Sequence, residues 1–171
     1  VKQHYADNKQ ALHASVRNLV EMYKTGRHDF MANELGDALD RFPNSPDLWN
    51  LAGALAEHFQ DWQLAEDSFS RVIDLSPDSE VACLNLALIF ARQDKHSSAK
   101  AQFQASLEKK PDYELALMGL GKANRSLGLL DEAISNFEKC LKFNPDDKDS
   151  WIKNKFYVLV DNNGKFLFYN I

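Results

Sequence analysis

The sequence predicts an all-α solenoid of stacked antiparallel helix pairs, and three observations carry that prediction. Pro43, Pro77, Pro111 and Pro145 follow one another at intervals of 34 residues, a fixed step that marks stacked copies of one supersecondary unit. Between the prolines, apolar residues recur with the three-to-four rhythm of amphipathic helices. Within a 34-residue unit that places proline at position 32, the same kinds of side chain also return to the same places. Position 8 is Leu19, Gly53, Ala87 and Gly121; position 20 is Met31, Ala65, Ala99 and Ala133; position 24 is Leu35, Phe69, Phe103 and Phe137. Small residues at 8 and 20 let two helices approach closely, and the large residue at 24 fills the space between neighbouring pairs.

The units run over about 12–45, 46–79, 80–113 and 114–147. In the first, 6–25 reads as a helix closed at Thr25-Gly26, and 29–41 as its partner. The second pairs 47–59 with 63–75 across Gln60-Asp61-Trp62. The third pairs 80–93 with 97–109, and the fourth 114–127 with 131–143 across Gly128, a helix-closing glycine. Each proline stops the preceding helix, because it lacks an N–H and clashes with the turn before it. The Asp or Ser residues that follow can accept the orphan N–H bonds of the next helix. Asp29, Gln63, Ser97 and Asp131, at position 18, are polar starts for the second helices. Trp49, Phe69, Phe103 and Phe137 are expected between helices.

This pattern of Trp at 4, small residues at 8 and 20, an aromatic at 24 and proline at 32 resembles the tetratricopeptide repeat (TPR) family. Units 46–79, 80–113 and 114–147 match it well, and 12–45 more weakly. The resemblance implies a single domain over 1–171, wound as a right-handed superhelix. Residues 148–171 would form a degenerate fifth repeat or capping segment, since Trp151 falls at position 4 of a fifth unit. That register puts helix over 149–161. The rival reading pairs Phe156–Val160 and Lys165–Tyr169 as strands around Asp161-Asn162-Asn163-Gly164, a good hairpin turn. The repeat register sets helix ahead.

Composition limits the function classes. The 171 residues carry a net charge of −5, which argues against nucleic acid or an anionic membrane as the main partner. No apolar run approaches the roughly 20 residues that span a bilayer, and the expectation is a cytoplasmic protein. Cys83 and Cys140 fall at positions 4 and 27 of different units and read as small buried hydrophobes. His28 and His96 read as exposed turn residues, and His13 and His58 lie too far apart to share a metal. No phosphate loop, nucleophile elbow or paired Cys/His motif appears, so no catalytic residue, metal or cofactor is assigned.

A surface remains. The family resemblance implies a concave groove lined by positions 2, 5, 9, 12 and 13 of the first helices. At its centre Val81, Leu84, Leu88, Leu115 and Met118 would form an apolar strip, with Arg92, Lys122 and Arg125 beside it and Asn85, Asn50 and His58 along it. Uncovered apolar strips mark binding sites, and the basic trio could hold a carboxylate or phosphate. The competing reading is that these residues touch one another or are covered by the tail. The carboxylate-clamp residues of chaperone-binding TPR domains are absent except Asn85, with Asn50, Ala54, Leu115 and Gly119 at the other places. An asparagine ladder is absent too, since position 6 reads Arg17, Leu51, Asn85 and Gly119.

The expected function is a non-catalytic scaffold that binds a peptide or helix of a protein partner. The alternatives are the TPR portion of a larger enzyme or a self-associating assembly module, the latter through the aromatic tail at 166–171. Phe42–Gly53 resembles the opening of bacterial TPR regions fused to sulfotransferase-, glycosyltransferase- or oxygenase-like domains.

Overall fold

The computed structural model describes residues 2–143, 158–160 and 166–168. Eight helices occupy the first of these stretches: α1 (Lys2–Lys24), α2 (His28–Arg41), α3 (Pro46–His58), α4 (Trp62–Leu75), α5 (Glu80–Arg92), α6 (His96–Lys109), α7 (Glu114–Ser126) and α8 (Leu130–Phe143). They stack in chain order, each packed on the next, and first helices also touch across repeats (α1 on α3, α5 on α7). The result is the all-α helical-repeat solenoid that the proline step implies.

Position 15 makes every turn within a pair. Gly26, Gln60, Asp94 and Gly128 all adopt positive φ, between 57° and 76°. The left-handed residue lets the next N–H reach back to the carbonyl five residues earlier, at position 11: Arg27 to Met22, Asp61 to Ala56, Lys95 to Phe90 and Leu129 to Asn124, at 2.9–3.0 Å. This closure satisfies carbonyls that the helix end leaves orphaned.

The second helices begin at position 17, one residue earlier than expected, so position 16 is the N-cap and position 18 lies inside the first turn. Asp61 caps α4 by accepting from the Leu64 N–H at 3.1 Å. Asp29 and Asp131, expected as starts, instead place a carboxylate in the first turn, where the helix dipole favours it. Between repeats, Ser45 and Ser79 accept from the N–H groups of Leu48 and Ala82, two residues after each proline.

The core runs along the stack. Phe69, Phe103 and Phe137 are buried, whereas Trp49 is half-buried, with its indole N–H donating to the Pro43 carbonyl at 2.8 Å. Each phenylalanine lies where only glycine fits. A Cβ on Gly53 would stand 2.6 Å from the Phe69 ring, and one on Gly121 would strike Phe137. In the third repeat position 8 is Ala87, and Phe103 lies instead against Gly119 of the next repeat. At the other end of each pair, Ser106 Oγ donates to the Glu80 carbonyl at 2.8 Å and Cys140 Sγ to that of Glu114 at 3.7 Å. Both cysteines are buried, and burial pushes the Cys83 thiol pKa up.

The tail departs from expectation. Val158–Val160 and Phe166–Phe168 pair as antiparallel strands β1 and β2, with Leu159 opposite Leu167. Helix through 149–161 therefore fails at 158–160. The β-branched and aromatic residues there, joined by Asp-Asn-Asn-Gly, favour a hairpin over the repeat register. The rest of the fifth-unit reading, Trp151 included, lies outside the described residues.

Candidate functional site

First helices α5 and α7 lie side by side, with α6 behind them, and a cavity of about 320 Å³ opens between them. Leu88 of α5 and Leu115 and Met118 of α7 form its apolar walls. Phe103 and Gly119 lie at its base, and Lys122 and His96 contribute polar edges. The first-helix side chains converge through the helical rhythm: Leu115, Met118 and Lys122 are spaced three and four apart and share one face.

Of the residues expected in the groove, Leu88, Leu115, Met118 and Lys122 come together around this cavity. Val81, Leu88 and Leu115 are 43%, 40% and 56% exposed, so large aliphatic surface faces solvent here. Leu84 corrects the expectation. It is 3% exposed and packs with Ala116, Leu120 and Phe103 in the core. Position 5 of α5 sits at the seam with α7, where Ala116 allows close approach, and the seam covers Leu84. Asn85 is half-buried outside the cavity lining.

Charge collects at one side. Burial depresses the Lys122 pKa, and the neighbouring Arg125 guanidinium depresses it further. Arg92, of the expected basic trio, pairs with Glu57 of α3 at 3.0 Å across a repeat boundary. Asn50 and His58 lie nearer the N-terminal end, away from the cavity. The Asn50 Oδ1 atom is buried without a hydrogen-bond partner among the described residues.

Two histidines expected to be exposed turn residues belong to this inner surface. His28 is half-buried, with its ring centroid 3.7 Å from that of His58, and Tyr23 and Phe59 stand beside it. His96 lines the cavity with Ser126. The signal lay in the register. Position 17 of one repeat meets position 13 of the next, at His28 with His58 and at His96 with Ser126, and position 13 was already read as groove-facing. Among the described residues no three His, Cys, Asp or Glu side chains gather where they could hold a metal ion, and no helix is long and apolar enough to cross a membrane.

Comparison with known proteins agrees with this architecture. Superkiller complex protein 3 of Mus musculus is 27% identical over 142 residues, 75% of this chain but 9% of that protein; its Homo sapiens counterpart is 29% identical over 127 residues, 70% and 8%. The chain thus spans less than a tenth of these relatives' length. A crystal structure of MamA superposes with a TM-score of 0.72 at 21% identity, covering 86% of this chain and 95% of that one. Pseudomonas aeruginosa PilF gives 0.74 at 16% identity, covering 87% and 71%. The tetratricopeptide repeat family model matches residues 32–80 and 84–148, most of the chain, and with the helix pairs and the four-fold turn geometry it places this protein in the tetratricopeptide repeat family.

Proposed function

We propose that this protein is a non-catalytic scaffold that holds a peptide or helix of a protein partner in the groove between α5 and α7. The tetratricopeptide fold is typical of protein–protein interaction scaffolds, and one observation supports this site above the others. Leu88 and Leu115 stay substantially exposed around a cavity of about 320 Å³, and such a surface marks a binding site on a soluble protein. An apolar anchor of the partner enters the cavity, while Lys122 and Arg125 orient an acidic group beside it and add salt dependence more than strength. Burying a few aliphatic side chains at about 25 cal/mol per Å² contributes several kcal/mol. Ordering an extended ligand consumes much of that, so affinity is expected in the micromolar range, about −8 kcal/mol.

The test is a double variant, Leu88→Glu with Arg125→Glu. Both side chains are exposed, so melting should shift by only a few degrees. Partner capture, read by mass spectrometry against the wild type, should be lost. If the folded double variant retains every partner, the groove is not the working surface.

A further inference from the structure

Second helices α2 and α4 enclose an apolar crevice of about 260 Å³, apart from the groove between α5 and α7. Ala32, Gly36 and Leu39 of α2 line it on one side and Leu64 of α4 on the other, with Leu55 and Ala56 of α3 buried beneath. Phe59 and Leu64, both wall residues, are 50% and 47% exposed, so large apolar side chains stand open to solvent at its rim. An apolar cavity of about 150 Å³ takes a benzene-sized molecule. This one has room for an aliphatic anchor.

Gly36 has no reason within the chain's own packing. A glycine inside a helix destabilises it relative to alanine, and Gly53, Gly119 and Gly121 are explained by the phenylalanine rings that a Cβ would strike. A Cβ on Gly36 would meet nothing within 4 Å. The other repeats have Ser70, Gln104 and Glu138 at the same position. What the glycine leaves open is an approach to the α2 backbone from outside.

The charges beside the crevice are mostly of one sign. Asp29 and Asp40 lie seven residues before Gly36 and four after it, on the same side of α2. Asp61 lines the crevice, and Asp67 follows Leu64 by three residues on α4. All four carboxylates are exposed. Arg71 is the cation on this side of α4, where it donates to Asn44 at 3.1 Å. Arg27 lies over the Phe30 ring, which helical spacing puts on the opposite side of α2 from Ala32 and Leu39. Arg41 lies over Phe42 beside Leu12 and His13 of α1. An apolar slot with an acidic rim complements aliphatic side chains flanked by ammonium or guanidinium groups.

We propose that the crevice between α2 and α4 is a second docking surface, for a lysine- or arginine-rich segment of a partner protein whose aliphatic anchor seats over Gly36. This surface lies outside the groove and does not depend on that reading.

The isotope-labelled full chain is titrated with three synthetic peptides, followed by amide NMR. One is an amphipathic leucine–lysine peptide, one its leucine–glutamate counterpart, and one an alanine–lysine peptide that keeps the charge without the anchors. The leucine–lysine peptide should shift the Ala32, Gly36 and Leu64 amides, and less so in high salt. Removing the anchors should weaken binding at least roughly tenfold, and the acidic peptide should leave these amides unmoved. Gly36→Leu fills the crevice from within, so it should melt no lower than the wild type yet lose the shifts. Asp29→Lys with Asp40→Lys should remove most of the salt dependence. Equal binding of the acidic peptide, shifts spread over every acidic face or confined to Leu88 and Leu115, or a folded Gly36→Leu variant that still binds would each overturn the proposal. Self-association of the wild type that Gly36→Leu abolishes would overturn it too, by assigning the crevice to a second copy. The comparison of peptides on the wild type decides the matter even if a variant fails to fold.

Discussion

A left-handed residue ends the first helix of every repeat, and only two of the four are glycine. Gln60 and Asp94 hold φ of 59° and 57°, a conformation that costs an L-residue roughly 1–2 kcal/mol. Glycine adopts it without the Cβ clash but loses more chain entropy on folding. Gln60→Gly is therefore expected to stabilise the protein by up to about 1 kcal/mol, read as a raised midpoint in urea. Charge at the middle joint gives a second prediction. Burial pushes the Glu66 pKa up, but hydrogen bonds from Lys95 and Gln93 and the Lys95 charge outweigh it, so the carboxyl sits below its ordinary value. A carboxylate depressed in the folded state adds stability above its unfolded pKa of about 4.3 and loses it as pH falls through the folded value. Glu66→Gln should therefore be less stable than the wild type at neutral pH, and the gap should close in acid. Thermal melts from pH 7 down to pH 3 check this, and a gap that widens in acid contradicts it. At this scale the sequence told unevenly. Glycines 26 and 128 were legible as turns because glycine favours positive φ, whereas Leu84 was not legible as core. A helical wheel gives the face of α5 but not how closely α7 approaches it.

At the scale of elements, the large residue at position 24 locks each pair, and the register across units made that visible. Phe69 and Phe137 lie over the glycine at position 8 of their own repeats. Phe103 finds Ala87 there and lies against Gly119 instead, a shift the sequence hints at only in retrospect through the unusual glycine at position 6. Truncating the buried Phe103 to Ala should cost roughly 3–5 kcal/mol. Gly119→Ala should cost about 1–3 kcal/mol by overpacking, since its methyl would strike the same ring. Denaturant titration of both variants tests the register: values under about 1 kcal/mol for Phe103→Ala would mean the ring is not a lock. The hairpin was the element the repeat pattern concealed, because 34-residue counting carries no information on local strand preference. Val158, Leu159 and Val160 were better judged by composition and by the Asp-Asn-Asn-Gly turn than by where a fifth repeat would fall.

For the molecule as a whole, stability in a stack is a sum over repeats and joints, and the joints here are unequal. The first repeat has Leu19 and Leu35 where later repeats combine a small residue with phenylalanine, so it lacks the ring that locks the later repeats. Amides of α1 and α2 are therefore expected to exchange with solvent sooner than those of α5 to α7. Hydrogen exchange followed by mass spectrometry reads this, and equal protection along the chain would contradict it.

Phe103 forms the base of the groove cavity on one side and fastens the third repeat to the fourth on the other. Whatever presses into that cavity pushes on the fastening itself, so occupancy and stiffness become one variable. A bound anchor would brace the solenoid at its middle, slowing local opening there more than at either end. The groove would then act as a strain gauge, with its reading carried by a single ring.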